Sequence, residues 1–227
     1  AGARLLVEEG VDLVIMDDGF QNPSLKKDLR LVVVDGGAGI GNGLVFPSGP
    51  LRAPLATQMV RADAVIVIGE GAAGDLVLRR AARAGRPVLR ARLEPEPGQS
   101  FDAPGYFAYA GIGRPEKFFD SLVAAGVPLK EAKSFPDHHV YTVEDAYRLR
   151  ERAANAGLAL ISTEKDMARL ARATSDRGDL RDRTAVFRVR LAFADEARIT
   201  AMVDDAVRRA AMERPFEAAA PALQPAG

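Results

Sequence analysis

The chain of 227 residues contains no cysteine and no tryptophan, and only two histidines. Without thiols there is no disulfide framework, no thiolate nucleophile and no cysteine-ligated zinc. The two histidines are adjacent and no third ligand is in view, which argues against a histidine-held zinc as well. Net charge is also missing, since 31 basic residues offset 31 acidic ones. No overall field therefore favours nucleic acid as a partner. No apolar run approaches the roughly 20 residues that a membrane-spanning helix needs, and residues 1–10 read as a helix rather than a secretory leader. The Walker A pattern G-x-x-x-x-G-K-[ST] does not occur.

What is present centres on VDLVIMDDGFQN, residues 11–22. Val11, Leu13, Val14, Ile15 and Met16 read as a strand buried on both faces, of the kind found in parallel sheets. Asp17 and Asp18 follow it, and Gly19 breaks the run. Acidic residues at the carboxyl end of such a strand sit where open α/β sheets bind ligands. An apolar strand ending in Asp is also the Walker-B pattern, whose Asp holds Mg²⁺ beside nucleotide phosphates. Adjacent carboxylates repel, so a cation or a proton would relieve them. The alternative is that the pair only caps a turn, because DDG is a common turn signal.

Along the chain, strands and helices alternate, which predicts an α/β protein with mostly parallel sheets. A helix over 1–9 precedes the strand at 11–16. Strands are expected at 29–34, 64–68 and 87–93, with helices at 55–62 and 76–84. The segment 46–54, FPSGPLRAP, has three prolines and reads as an ordered loop carrying Arg52. A proline- and glycine-rich linker is expected over 94–105. A second, smaller α/β domain over 106–193 would hold strands at 106–110, 129–135, 158–162 and 184–193, with helices at 115–126, 143–156 and 164–173. Thr163 and Asp166 are spaced as a capping box. A last helix falls within 194–214, and the Ala/Pro-rich tail 215–227 reads as disordered. The first domain, 1–93, begins with a helix that has no strand before it. The sequence is therefore expected to be the C-terminal part of a longer protein, with the first sheet incomplete at its N-terminus and any P-loop lying upstream.

Three further features carry possible chemistry. His138 and His139 follow Asp137 in a loop, where a carboxylate can fix a histidine tautomer and make it a general base; a plain surface pair is equally compatible. Gly69–Gly74, GEGAAG, fits G-x-G-x-x-G between a strand and a helix, with Glu94 twenty residues on, so a dinucleotide-binding oxidoreductase stands as an alternative. Lys165 sits at a helix start after a strand, a place suited to a phosphate, though a solvated lysine there is equally ordinary. A non-catalytic binding domain with structural carboxylates is the third reading.

Taken together, DDGFQN, NGLVFPSGPLRAP, AYAGIG, FPDHH and STEKD occur in the order seen in the tetraacyldisaccharide 4'-kinases, and the chain resembles that family from about Val11 to Asp166. The resemblance implies a P-loop-type domain and a smaller α/β domain. The implied activity is ATP- and Mg²⁺-dependent phosphorylation of the 4'-hydroxyl of the lipid A disaccharide precursor, at the cytoplasmic face of the bacterial inner membrane. By resemblance, Asp17 and Asp18 serve the metal and Asp18 also the catalytic centre. His138, paired with an acidic residue upstream of DDG, activates the sugar hydroxyl, and Gln21, Asn22 and Arg52 bind substrate. Many members have His where this chain has Asn22, and Glu where it has Ala53. Asn22 can still hydrogen-bond a phosphate or a sugar but cannot act as a base at neutral pH.

Overall fold

The computed structural model describes residues 2–171 and 175–213, which divide into two compact units. Among the described residues, one unit comprises 2–92 and 192–213, the other 93–171 and 175–191.

In the first unit, helix α1 (Gly2–Glu8) is followed by a long irregular stretch up to strand β1 (Leu31–Asp35). Helix α2 (Leu55–Arg61), strand β2 (Ala64–Ile68), helix α3 (Asp75–Arg83) and strand β3 (Val88–Pro95) come next, and strand β8 (Val189–Phe193) and helix α8 (Glu196–Glu213) return at the end of the chain. The sheet runs β1-β2-β3-β8, with β1 and β3 both parallel to β2. β2 is central and apolar throughout, AVIVI, and its first four residues are buried. Val34, Val65 and Val67 of the sheet pack with Met59 of α2 and with Val77 and Ala81 of α3. This is the arrangement a parallel sheet requires, because crossover helices must cover its faces.

In the second unit, strand β4 (Tyr106–Ala110), helix α4 (Pro115–Ala124), strand β5 (Leu129–Ser134), helix α5 (Val143–Ala156), strand β6 (Ala159–Thr163), helices α6 (Glu164–Ala171) and α7 (Ser175–Asp182) and strand β7 (Thr184–Phe187) follow in order. The sheet is wholly parallel in the order β5-β4-β6-β7. The period-2 alternation of β4 separates two cores. Phe107 and Tyr109 face Leu149 of α5 and Met167 and Leu170 of α6. Tyr106, Ala108 and Ala110 face Phe118 and Leu122 of α4. Because the chain leaves β4 toward β5 on one side and later returns to β6 on the other, the topological switch point lies at the carboxyl ends of β4 and β6, where open α/β sheets form their ligand crevice. α5 is held at both ends, by a reciprocal capping box between Thr142 and Asp145 and by Gly157 at φ 64°.

The α/β class with mostly parallel sheets is as expected, and most elements lie within a few residues of their expected places. Three differ. Residues 11–16 form no strand; Leu13 and Ile15 are 52% and 87% exposed. An apolar run becomes a strand only when a neighbour pairs with its backbone groups, and among the described residues β2 is the one strand flanking β1. The expected strand over 184–193 is two strands, β7 and β8, divided at Arg188 and belonging to different sheets. Helix α7 was not expected, since its sequence SDRGDLRD is polar with a central glycine. The tail 215–227 and residues 172–173 of the expected helix 164–173 lie outside the described residues.

Candidate functional site

In the first unit the chain turns at Asp17 and Asp18 and then again over residues 19–22, the second turn being closed by the Asn22 amide donating to the Gly19 carbonyl at 3.1 Å. Gly19 is buried, and a Cβ there would stand 2.5 Å from the Met16 Cβ, so the turn needs glycine to lie against Met16. Asp18 sits at φ 53°. Its carboxylate accepts a hydrogen bond from the Arg52 guanidinium at 2.5 Å, so the PxGPLR loop and the DDG turn meet through one ion pair. Both partners are more than half exposed, which limits what the pair adds to stability. Asp17 faces solvent. Gln21 lies 3.4 Å from Gln58 of α2, whose amide in turn donates to the Ala53 carbonyl at 2.7 Å. Asn22 accepts from the Ser24 amide and hydroxyl at 2.9 and 2.6 Å, so its side chain braces the turn.

No group of three or more acidic or imidazole ligands converges among the described residues. Mg²⁺, however, keeps several waters and usually binds through one or two carboxylates together with substrate phosphates. Two adjacent, accessible carboxylates fit that mode and do not fit an all-protein cage. Arg52 already balances one of the two charges.

In the second unit, loops from three strands meet at the switch point: residues 111–114 after β4, 135–141 after β5, and the start of α6 after β6. Beneath them lies Asp166, wholly buried. It accepts hydrogen bonds from the Gly111 amide at 3.2 Å, the Tyr141 hydroxyl at 3.0 Å and the Thr163 hydroxyl at 2.7 Å, and pairs with Arg169 at 3.1 Å. The Asp166 amide donates back to Thr163 at 3.2 Å, so the expected cap at the start of α6 is present. Gly111 is needed here, since a Cβ would meet the His139 Cβ at 3.0 Å and Asp166 Oδ1 at 3.3 Å. Burial pushes the Tyr141 and Tyr109 phenols far above their ordinary value, so both stay protonated; Tyr141 donates to Asp166, and Tyr109 shares a hydrogen bond with Thr184 at 3.0 Å.

The two histidines have different places. His139 is largely buried, stacked on Phe135 with ring centroids 4.6 Å apart, and its Nε2 lies 3.0 Å from Asp145. Partial burial works to raise the Asp145 carboxyl, but hydrogen bonds from the Thr142 amide and hydroxyl and from His139 outweigh it and hold the group below the usual carboxylate range. His138 is 83% exposed at the rim of the loop and has φ 59°. Its amide donates to the Gly111 carbonyl at 3.1 Å and to Asp137 Oδ1 at 2.9 Å, and its Nδ1 lies 3.4 Å from Arg169 Nη2. Lys165 is exposed in the first turn of α6.

A sequence model of the tetraacyldisaccharide-1-P 4'-kinases matches residues 1–208. The chain belongs to that family. Among curated relatives named tetraacyldisaccharide 4'-kinase, one from Methylorubrum extorquens is 47% identical over 210 residues, which is 92% of this chain and 62% of the relative. Another, from Methylobacterium nodulans, is 54% identical over 172 residues, 75% of this chain and 51% of the relative. The chain thus spans between about half and two thirds of the length of these kinases. A crystal structure of LpxK from Aquifex aeolicus in complex with ATP has the same fold, with a TM-score of 0.58 and 19% identity over 91% of this chain and 61% of that one.

Within this family framework, the structure brings Asp18 to Arg52 in one unit and, in the other, seats His138 at the sheet's switch point, over Asp166. Just after the DDG residues, Gln21 reaches Gln58 of α2 and Asn22 holds Ser24. Sequence reasoning missed Arg169, and it took Asp166 for a helix cap alone. An Asp followed three residues later by an Arg in one short helix was the available signal, because that spacing lets the pair meet.

The glycine motif at 69–74 has a structural role. The Gly74 amide donates to the Gly36 carbonyl at 2.9 Å, and a Cβ on Gly71 would come within 2.7 Å of the same oxygen. A Cβ on Gly39 would stand 2.2 Å from the Ala73 carbonyl oxygen. The glycines let two loops of this chain pack backbone to backbone. Glu94, placed by spacing to hold a ribose, is paired with Arg190 at 3.4 Å.

Proposed function

We propose that the protein takes part in ATP-dependent phosphoryl transfer to the 4'-hydroxyl of the tetraacyldisaccharide 1-phosphate precursor of lipid A. One observation beyond family membership carries the reading. Among the described residues, the only non-glycine positions with positive φ are Asp18 and His138. Such backbone costs on the order of 1–3 kcal/mol and persists where the surroundings enforce it, most often at functional sites. The two positions are the ones to which the family motifs assign the chemistry.

In this reading Asp17 and Asp18 hold Mg²⁺ together with the nucleotide's phosphates, and the metal supplies charge neutralisation on the transferring group. Arg52 offers a planar, bidentate donor set to a phosphate once it leaves Asp18. Gln21 and Asn22 present amides to phosphate or sugar oxygens. His138, with an acidic partner, orients the 4'-hydroxyl. The hydroxyl oxygen forms a bond to the γ-phosphorus, the bond from that phosphorus to the ADP oxygen breaks, and the hydroxyl proton passes to the acidic partner. Residues 1–93 act as part of the nucleotide-binding domain and 106–193 as the smaller domain, with 94–105 as the linker between them. The acyl chains of the substrate put the reaction at a membrane surface, assigned to the cytoplasmic face of the inner membrane. No helix among the described residues is long and apolar enough to cross a membrane.

The test is transfer of labelled γ-phosphate to the disaccharide by the complete gene product. His138→Gln and Asp17→Asn should each lower kcat by about a hundredfold or more, the range for removing a group that orients the nucleophile or stabilises developing charge. Wild-type turnover in both variants would overturn the assignment.

A further inference from the structure

Arg169 reaches past Asp166 to His138, and we infer that it is a positioning residue that sets the tautomer and the aim of the His138 imidazole. The inference rests on the proposed role of His138 and deepens it. A guanidinium is an obligate donor with no acceptor site. Its Nη2 lies 3.4 Å from His138 Nδ1, so in the neutral imidazole Nδ1 is the acceptor and the proton sits on Nε2. The other side of the ring agrees. Nε2 faces Asp137 Oδ2 at 3.7 Å, and an ionised carboxylate only accepts. A cation beside one nitrogen and an anion beside the other select the same tautomer.

The same guanidinium fixes where the ring stands. Its Nη1 donates to the Gly111 carbonyl and pairs with Asp166 at 3.1 Å. That carbonyl also receives the His138 amide at 3.1 Å. Arg169 therefore ties the backbone oxygen that anchors His138 and the imidazole itself to one group, three-quarters buried and held by a wholly buried carboxylate. The left-handed backbone of His138 turns the ring back toward α6, and Arg169 meets it there. What remains open to a reactant is the Nε2–H.

The complete gene product, free of any histidine tag and labelled with ¹⁵N, provides the test. Long-range ¹H–¹⁵N spectra distinguish a protonated from an unprotonated imidazole nitrogen, and the His138 signals are those lost in His138→Gln. In the wild type, neutral His138 should be a single tautomer with the proton on Nε2. Arg169→Lys keeps a cation for Asp166 but, with its single ammonium, cannot serve Asp166, the Gly111 carbonyl and Nδ1 together. It should give averaged nitrogen shifts and a kcat lowered about tenfold, with KM for ATP unchanged. A mixed or Nδ1–H tautomer in the wild type overturns the inference and needs no variant. An unchanged tautomer in Arg169→Lys overturns it too, as does a lost tautomer with an unchanged kcat. A locked tautomer beside full activity in His138→Gln would instead leave the Arg169 contact standing and remove the proposed role of His138.

Discussion

Replacing Asp166 by alanine should unfold the second unit at moderate temperature, and the magnitude follows from what the carboxylate holds. It is wholly buried and accepts from the Gly111 amide, the Tyr141 hydroxyl and the Thr163 hydroxyl while paired with Arg169. Alanine takes the Asp166 acceptor away from the buried Gly111 amide and Tyr141 hydroxyl, at about 1–3 kcal/mol each. It also strips a largely buried guanidinium of its counter-charge, and breaking such a pair from one side costs about 3–5 kcal/mol. These terms overlap, because the same groups relax together, so about 4 kcal/mol in all is a fair expectation. The unit has 99 residues, counted from Leu93 to Leu191. For that size about 1 kcal/mol moves Tm by about 4–8 °C, so Asp166→Ala should lower it by at least about 15 °C. Asp166→Asn keeps an oxygen for Gly111 and Tyr141 and loses mainly the charge pairing, so it should fall by about half as much. Calorimetry of the complete gene product, resolving the transition of this unit, measures both. A Tm for Asp166→Ala within about 4 °C of wild type, or equal losses in the two variants, would refute the reasoning.

Two further outcomes are expected. The Asp145 carboxyl is held below its ordinary value of 3.8, so its stabilising contribution is complete above that value and is lost as pH falls through the lower folded value; the gap in Tm between wild type and Asp145→Asn should be widest near neutral pH and narrow steadily as the solution is acidified below about pH 4, and a gap that stays constant or widens on that acidification would contradict this. His138→Gly relieves left-handed backbone at an exposed residue, so thermal melts should place it within about 4 °C of wild type or above it while kinase activity collapses, and a clear loss of stability would show that the imidazole is structural.

Much of the fold could be read because periodicity and punctuation agreed. β2 and β4 are unbroken apolar runs, α5 is framed by Thr142 and Gly157, and Pro115 opens α4. Segment 11–16 failed for the opposite reason. Its apolar run was local evidence, but strand formation is a property of a pair, and nothing in six residues states which neighbour is at hand. Strands β7 and β8 failed in a related way. TAVFRVRLAF has the composition of one long strand, and only the pairing of 184–187 with β6, against the place of 189–193 beside β3, divides it at Arg188.

The candidate site was legible as motifs and illegible as geometry. DDG, GPLR and FPDHH pointed to Asp18, Arg52 and His138, but no spacing along the chain reveals that Arg52 answers Asp18 across 34 residues, or that Arg169 answers His138 across 31. The groups that hold the exposed chemistry are buried or tied to backbone, and burial changes what a residue type means. Asp166 looks like a helix cap in sequence, and it is one. With its solvent removed, the same carboxylate also gathers the ends of β4 and β6 and an arginine into one network, because a wholly buried charge has to replace its lost water with donors and a counter-charge. The strain at His138 is affordable only on such a base. An exposed loop left to itself would let the residue relax to negative φ, whereas Gly111, anchored through its amide to Asp166, offers its carbonyl at the one place that draws the His138 amide into the left-handed turn.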